Sequence, residues 1–367
     1  MPRNGLAVAI VVVLVAAAAT AEVTRTLRVE LTGDPAAGFA VDNLAGAMKV
    51  TAGDVGTVTA VATVHAEDAA LADAVRFEQV VGNGGVATLR VRYPLDEHRT
   101  IRYPYGGSGE TEYDGRRVKV SDHSGVELWA DVEVTVPRRD VRGSFATRAG
   151  AASGTGLAGT LVFDTGTGDI TVRDCAGTIT ADTGTGDVSA TKVTGTLVCD
   201  TGTGACDVAD FDGERVSCDT GTGRIRIERA RARTVDADTG SGSIRLLDAD
   251  VEEFRADTGS GDVELGAVGN RLVRGRADTG SGDVRLRLPA DASFVAEADQ
   301  GSGDLVCRFD DARPIVVRRT VTGYQRGDGR IVIDVDTGSG DLVIEPAAAG
   351  PSSEAAPTRP PAETGRP

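Results

Sequence analysis

The sequence predicts an all-β fold, a single-stranded parallel β-solenoid of the β-helix or β-roll kind with coils of 18–21 residues. The first observation is a repeated tract, Asp-Thr-Gly-Thr/Ser-Gly, whose consecutive copies mostly start 18 to 21 residues apart. A fixed period of this size is typical of a solenoid, in which each repeat is one coil that buries its apolar face only against its neighbours. The second is that 40% of the 367 residues are hydrophobic, enough to fill a core although 48 residues are glycine. The tract starts at Asp164, Asp182, Asp200, Asp219, Asp238, Asp257, Asp278 and Asp336, with a near copy, Asp-Gln-Gly-Ser-Gly, at Asp299.

Residues 1–21 have the pattern of a secretory signal peptide. Met-Pro-Arg-Asn-Gly precedes an uncharged apolar run at 6–19, and Ala-Thr-Ala at 19–21 fits a cleavage site, so we expect cleavage after Ala21. The run is shorter than the roughly 20 apolar residues that usually span a bilayer. The alternative is that the segment stays uncleaved and residues 5–21 tether the protein to a membrane. The sequence therefore predicts an exported protein, located outside the cell or in the cell envelope.

Residues 22–137 depart from the clean repeat and are predicted to be β-rich. Alternating apolar and polar runs at 86–91 and 128–136 predict strands, whereas 103–117 is a long Gly-rich excursion. We expect this segment to begin the solenoid with irregular coils and to cap its N-terminal end, because an uncapped array exposes a sheet edge. Trp129 is expected to alternate inward on its strand within this cap.

Residues 138–346 are predicted to form the regular solenoid, and each coil can be described from its tract. With the tract Asp numbered zero, apolar residues recur at +6 and +8 and alternate with polar ones, which is typical of a strand with one buried face. Large apolar residues at −3 and mostly small ones at −1 indicate another strand, which ends at the Asp. A degenerate coil near Thr147 precedes the first tract. The 37 residues from Asp299 to Asp336 indicate two coils with one tract missing.

The tract itself is predicted to be a corner between these two strands. The glycines at +2 and +4 are expected to adopt positive φ, which other residues reach only at a cost. The tract Asp is expected to accept hydrogen bonds from amides of the turn. Coils stacked about 4.8 Å apart then make a rod roughly 50 Å long.

The five cysteines fall at inward positions in this register. We interpret them as buried thiols that serve as small apolar residues. Cys199 and Cys218, on adjacent coils, are the one pair expected to be close enough to bridge, although in-register neighbours on parallel strands rarely meet disulfide torsions without strain. The positions are Cys199 and Cys218 at −1, Cys206 at +6, Cys307 at +8, and Cys175 at +11 in a column with Val193, Phe211 and Val268.

The C-terminal residues 347–367 are rich in Ala, Pro, Ser and Thr without a period and are predicted to be disordered.

The net charge restricts which partners can be expected. It is −16 and is spread along the chain. Nucleic acid and anionic membranes both need a concentrated basic face, so we expect neither as a partner, with membrane contact only if the N-terminal segment stays uncleaved. We expect a monomer.

The repeats resemble those of a known family. Copies of the form Asp-Thr-Gly-Ser-Gly-Asp-Val-x-Leu, preceded by Val-Thr-Val-Pro at 134–137, are similar to the bacterial putative-adhesin family of β-strand repeats, a domain of unknown function. Phe-Ala-Val-Asp-Asn-Leu-Ala-Gly at 39–46 resembles that family's first coil, and the interrupted segment at 323–331 is also similar. The resemblance covers residues 38–346. It implies an exported or membrane-tethered protein, in some members associated with cell-envelope stress systems, and supplies no catalytic residues.

Calcium is the sharpest metal hypothesis. Asp at zero and Asp at +5 form two acidic columns near a Gly-rich turn. Calcium-binding nonapeptide repeats carry their Gly-rich motif in every half coil, whereas this chain has it once per coil, and Ala205, Arg224 and Ser243 interrupt the +5 column. We therefore expect no metal and no cofactor.

Tyr103, Tyr105 and Tyr113 are the candidate ligand contacts. They lie close in sequence to Tyr93 and Trp129 in the irregular segment. Exposed rings beside carboxylates can stack on sugars, so a glycan site is one interpretation and a packed cap is the alternative.

The sequence predicts no catalytic activity. The histidines lack metal-ligand spacing, and neither a nucleophile elbow nor a phosphate-binding motif is present. The predicted function is a non-catalytic, adhesin-like binding or structural module whose partner is a protein or polysaccharide at the cell surface. The alternatives are an accessory protein of an envelope-stress regulatory system and a polysaccharide-active β-helix enzyme. The histidines are His65, His98 and His123.

Overall fold

The structure is a computed structural model, and it confirms the predicted all-β solenoid. It describes residues 11–14 (backbone only), 23–31, 34–81, 86–106, 108–267 and 269–347. The N-terminal region contains β1 (Val11–Leu14), β2 (Val23–Glu30), β3 (Phe39–Ala45), β4 (Met48–Gly53), β5 (Thr59–Ala66), α1 (Ala69–Ala74), β6 (Arg76–Val81), β7 (Ala87–Arg92), β8 (Thr100–Arg102), β9 (Gly109–Tyr113), β10 (Arg116–Ser121) and β11 (Val126–Pro137).

Most coils of the repeated body contain one long and one short strand, and one 15-residue strand contains both segments without a break. Its strands are β12 (Val141–Ala149), β13 (Ala152–Thr155), β14 (Ala158–Thr167), β15 (Ile170–Arg173), β16 (Ala176–Thr185), β17 (Val188–Thr191), β18 (Thr194–Thr203), β19 (Cys206–Ala209), β20 (Asp212–Thr222), β21 (Ile225–Glu228), β22 (Arg231–Ser241), β23 (Ile244–Thr258), β24 (Val263–Ala267), β25 (Arg274–Thr279) and β26 (Val284–Leu288). The C-terminal part contains β27 (Phe294–Ser302), β28 (Leu305–Cys307), β29 (Arg313–Val317), β30 (Thr320–Arg326), β31 (Ile331–Ser339) and β32 (Leu342–Pro346).

These strands stack into two sheets that run along the solenoid and face each other across the core. The wide sheet contains the strands that carry the tracts, from β14 through β25, and the narrow sheet contains the strands that follow each tract, from β15 through β26. Pairing within the body is parallel and nearly always in register. Asp182, for example, pairs with Asp164 on one side and with Asp200 on the other. Equivalent residues of successive coils therefore lie directly above one another and form columns along the solenoid.

The core lies between the two sheets and is filled by the predicted columns. The wide sheet buries positions −3 and −1, as at Leu161 and Phe163, and the narrow sheet buries +6 and +8, as at Ile170 and Val172. The +11 column is buried at Cys175, Val193 and Phe211, while its predicted member Val268 lies outside the described residues. Because each coil is only about as thick as one strand, each buried side chain packs mainly on the coils above and below it.

The corner of each coil is held by a column of buried threonines at +1, a feature that the sequence interpretation missed. The strand does not end at the tract Asp but continues through +3, as in β14, so the Thr at +1 points inward. Its hydroxyl donates to the carbonyl of the +4 glycine of the preceding coil, for example Thr220 Oγ1 to Gly204 O at 3.0 Å. The same bond recurs at Thr183, Thr201, Thr239, Thr258, Thr279 and Thr337.

Both glycines of the tract lie against the backbone of the preceding coil, and the +4 glycine has in addition an unusual φ. The +4 glycine has positive φ, 155° at Gly223, as predicted. The prediction of positive φ at +2 is wrong, because Gly221 does not adopt it. A Cβ atom at Gly221 would lie 2.7 Å from the carbonyl oxygen of Gly202 on the preceding coil. The +2 position therefore needs glycine because the stacked backbones leave no space for a side chain.

The C-terminal coils stack out of chain order, which corrects the prediction of a missing coil. Strand β31 pairs with β25 on one side and with β27 on the other, so the coil of Asp336 lies between those of Asp278 and Asp299. The narrow sheet repeats this order, with β32 between β26 and β28. The intervening residues form an antiparallel hairpin, β29–β30, whose second strand pairs with β27. The 37-residue interval thus contains a terminal hairpin, after which the chain returns into the stack.

The N-terminal end is built in a similar way. Strands β3 and β4 form a coil that stacks on β12 and β13, so the coil predicted at 39–46 belongs to the body. The chain then leaves to form a cap, in which β7 covers β3 and β11 covers β4, and returns at β12. Strands β5, β2 and β1 extend the narrow sheet with antiparallel pairing.

The described part of the chain contains one short helix, α1, near its N-terminal end. Within the described part of the chain no helix is long and apolar enough to cross a membrane, and α1 has six residues. Residues 11–14 of the predicted signal peptide form β1. The rest of residues 1–22 and the predicted disordered tail from residue 348 lie outside the described residues.

Replacing a corner threonine by valine should destabilise the solenoid. Thr220→Val keeps the shape of a fully buried side chain but removes the donor to Gly204 O, which costs about 1–3 kcal/mol when it leaves a buried carbonyl unsatisfied. Thr222→Val, two residues on at the exposed +3 position of the same corner, is the matched control and should change the free energy of unfolding little. Urea unfolding of both variants measures the difference, and equal stabilities would contradict the role given to the buried hydroxyl.

Candidate functional site

The three tyrosines that the sequence indicated as candidate ligand contacts differ in their exposure to solvent. Tyr105 is 78% exposed, Tyr103 is 5% exposed and Tyr113 is 2% exposed. Tyr113 lies in the cap interior, where its hydroxyl donates to the carbonyl of Val91 at 2.7 Å and its ring packs edge-on against Tyr93. Tyr113 is therefore a core residue and unavailable to a ligand, and accessible aromatic surface remains at Tyr105.

Tyr105 belongs to a packed group of rings that we call the aromatic cluster, formed by His65, Tyr103, Tyr105 and Trp129. The Tyr105 ring meets the Trp129 ring edge-on at 5.9 Å between centroids, and the Tyr103 ring edge-on at the same distance. His65 stacks on Trp129 with centroids 4.9 Å apart and planes within 7°. Edge-on and stacked pairs at such distances are the arrangements that aromatic quadrupoles favour.

Trp129 is buried, but on the opposite side of its strand from the one predicted. Leu128 and Ala130 point into the core, and successive side chains of a strand alternate, so Trp129 lies on the outer face of the narrow sheet. There the tyrosine rings cover it. His65 is its direct partner on the antiparallel strand β5. This pairing explains the stacking and could not be predicted from the sequence, in which 63 residues separate the two rings.

Charged groups flank the aromatic cluster. The His65 Nε2 atom lies 3.3 Å from the Asp131 carboxylate, which also accepts a hydrogen bond from the amide of Ala47 at 2.8 Å. Glu127, on the same face of β11 as Trp129, pairs with Arg102. Burial, reinforced by the negative charge of Asp131 and by Tyr105, raises the pKa of Tyr103 to about 12. Tyr103 therefore stays neutral at physiological pH.

This arrangement can bind an apolar or sugar face. The Tyr105 ring contacts the buried rings of Tyr103 and Trp129 on one side and is open to solvent on the other. Carboxylates at the rim can accept hydrogen bonds from hydroxyl groups. The sequence indicated two of the four rings as candidate contacts, missed His65, and placed Trp129 in the core.

A second candidate surface is the outer face of the wide sheet. The tract aspartates form one outward column in stacking order, because the strands are in register from Asp164 to Asp278 and then through Asp336 to Asp299. We call this column the aspartate ladder. Partial burial and the charges of neighbouring ladder members raise the pKa of Asp182, Asp200 and Asp238. Like charges on adjacent strands therefore oppose folding at neutral pH.

The +5 aspartates, not the tract aspartates, bind the corner amides. The amide of Asp187 donates to Asp169 Oδ1 at 2.9 Å, and the amide of Ala205 donates to Asp187 Oδ1 at 2.7 Å, so each carboxylate caps the next coil. The prediction that the tract Asp accepts from turn amides is wrong, since those side chains lie on a strand face. The +5 carboxylates thus have a structural role that requires no calcium.

One group of ligand-type side chains does converge. Among the His, Cys, Asp and Glu side chains of the described residues, one group of three could hold a metal ion. It consists of Cys199, Cys206 and Cys218, whose sulfur atoms all lie within 4.8 Å of one another. All three are buried in the core. The sequence placed each of them inward and put Cys199 beside Cys218, but gave no sign that Cys206 reaches them.

Two open depressions lie on the outer face of the wide sheet. One, of about 350 Å³, lies beside the C-terminal hairpin and is lined by Arg276, Asp299 and Asp336 among others. Another, of about 400 Å³, lies near the N-terminal coils at Arg142 and Thr178. Both linings mix polar and apolar surface, whereas sites for drug-sized ligands are mostly apolar.

The comparisons with known proteins agree with this architecture at the level of family. A family model described as Toastrack DUF4097 matches residues 129–345. No curated protein matches the chain.

Solved structures show distant similarity. A putative adhesin from Bacteroides fragilis NCTC 9343 is 10% identical with a TM-score of 0.38, and a putative lipid binding protein from Parabacteroides distasonis ATCC 8503 is 12% identical with a TM-score of 0.41; each match covers 87% of this chain and 96% of the other. A putative cell adhesion protein from Clostridium sporogenes ATCC 15579 is 9% identical with a TM-score of 0.19, covering 89% and 99%. At these scores none of the three superposes closely on this chain.

Neutralising one rung of the aspartate ladder should stabilise the protein at neutral pH. The pKa of Asp200 is raised in the folded state, so the carboxyl favours folding when protonated, and this contribution is lost as pH rises through the folded pKa. Asp200→Asn should therefore raise the free energy of unfolding by about 0.5 kcal/mol at neutral pH, the scale of one cross-strand like-charge contact.

The gain should shrink as the pH falls through the acidic range, where the wild-type carboxyl is protonated. Asp248→Asn removes the same charge from an exposed corner residue outside the ladder and is the control. Thermal unfolding across pH measures both variants, and a gain that persists at low pH would contradict the electrostatic cause.

Proposed function

The chain belongs to the Toastrack DUF4097 family, and on that premise we propose that it is an exported, non-catalytic binding module of the cell envelope. We propose further that its ligand is a polysaccharide, bound at the aromatic cluster. The observation that carries the proposal is Tyr105, a 78% exposed ring packed against Trp129 and Tyr103.

Tyr105 differs in exposure from the rings beneath it. Tyr103 and Trp129 are buried, whereas Tyr105 presents its ring to solvent beside a carboxylate rim. An aromatic platform with adjacent hydrogen-bond acceptors is suited to the apolar face and the hydroxyl groups of a sugar.

The rest of the molecule supports binding to an extended partner. A solenoid offers long faces that suit contact with a polymer or a surface more than enclosure of a small molecule. The apolar segment followed by Ala-Thr-Ala at 19–21 supports export, since it fits a secretory leader. A module that faces outward from the envelope meets polysaccharides there.

Removing the Tyr105 ring should weaken retention on polysaccharide without unfolding the protein. Purified protein is incubated with insoluble cell-wall polysaccharide, and the bound fraction is measured as a function of polysaccharide concentration. Tyr105→Ala should raise the apparent Kd about threefold to tenfold, the scale of one aromatic contact. Val81→Ala, at a side chain 79% exposed at the end of strand β6, is the control and should leave the Kd unchanged.

Tyr103→Ala distinguishes binding from packing. This ring is buried, so its loss should lower the unfolding temperature, which Tyr105→Ala should not do. Equal retention of wild type and Tyr105→Ala would overturn the site. Retention by membrane protein fractions with none by polysaccharide would instead support the accessory role in an envelope-stress system.

A further inference from the structure

Three of the five cysteines meet in the middle of the solenoid core. Cys199 and Cys218 are paired neighbours in the wide sheet, on β18 and β20. Cys206 lies on β19 of the narrow sheet and reaches them from across the core. All three are at most 1% exposed, and their sulfur atoms lie within 4.8 Å of one another.

The shortest approach joins the two sheets. The sulfur atoms of Cys206 and Cys218 are 2.9 Å apart, which is shorter than an ordinary non-bonded contact between two sulfur atoms. A disulfide needs a separation of about 2.05 Å, so a small shift of two side chains closes it. The sequence indicated Cys199 and Cys218 as the one pair close enough to bridge, and the parallel register holds these two side by side on one sheet.

The surroundings favour a neutral product. The three sulfur atoms lie in an apolar core, beside Ala181, Ala237 and Ile225 in the same or adjacent columns. A metal ion held by three thiolates would place net negative charge in this core, and buried charge is costly unless it is paired. A disulfide carries no charge, so it fits an apolar core without a charged or polar partner.

We propose that Cys206 and Cys218 form a disulfide that ties the narrow sheet to the wide sheet, with Cys199 remaining a free thiol beside it. The oxidant is a small-molecule or protein disulfide. One thiolate attacks that disulfide and releases one thiol; the second thiolate then attacks the mixed disulfide and releases the other. The two cysteines lose two electrons and two protons, and the oxidant gains both as two thiols.

The bond forms before the coils close. In the folded state all three cysteines are at most 1% exposed, so an external disulfide or reductant cannot reach their sulfur atoms. The two cysteines are only 12 positions apart in sequence, so the loop that must close for them to meet in the unfolded chain is short and costs little entropy.

The test is to refold the protein from denaturant in a mixture of oxidised and reduced glutathione. Free thiols are then alkylated under denaturing conditions, and the proteolytic peptides are mapped by mass. The proposal expects one linked pair, Cys206 with Cys218, and alkylated Cys175, Cys199 and Cys307. Alkylation of all five cysteines would overturn it, as would a link that includes Cys199.

Alanine variants supply the controls, since alanine is the natural residue at the flanking positions of the same column. Cys218→Ala takes the residue found at Ala237, and Cys199→Ala the residue found at Ala181, so both should fold. Addition of a reductant during refolding should lower the Tm of wild type and of Cys199→Ala by several degrees and leave the Tm of Cys218→Ala unchanged. The same Tm shift in all three proteins would also overturn the proposal.

Discussion

The close contact between corners of successive coils is the constraint on which the rest of the structure depends. Each corner stacks on the one before it with no side chain between the two backbones, because a Cβ at either tract glycine would collide with the carbonyl below. A buried threonine hydroxyl then bonds that same coil, as Thr220 does to Gly204. Together these contacts exclude a slip of register, which in a β-strand would turn every side chain to the other face. The aspartate ladder, the apolar columns and the meeting of three cysteines all follow from this one alignment.

Most of the regular body could be predicted from the sequence, because period and alternation are local properties. The columns at −3, −1, +6 and +8 were read directly from the tract, and burial at Leu161 and Ile170 confirms them. The threonine column was missed because a hydroxyl in a Gly-rich tract suggests a turn, whereas the strand continues through it. The contact of Cys206 with Cys218 joins facing strands of adjacent coils, and the offset between facing sheets is set by the corner geometry, which periodicity does not reveal.

The ends of the solenoid could be predicted far less well, because they depend on pairings between distant segments. The partnership of His65 and Trp129 arises from antiparallel strands β5 and β11, and it decides which side of its strand Trp129 occupies. Likewise the insertion of β31 between β25 and β27 leaves the repeat pattern of each coil unchanged. The candidate aromatic site lies in the irregular N-terminal segment, where side chains need not match those of a neighbouring coil.

The out-of-order coils at the two termini limit how a chain of this kind can change in length over evolution. At each end of the stack the chain leaves the coils, forms a cap and comes back, so that β7 covers β3 and β11 covers β4 at one end, and β30 covers β27 at the other. An additional coil would find these strand edges already paired. Duplication or loss of a repeat is therefore compatible with the fold only between the coils of Asp164 and Asp278, where chain order and stacking order coincide.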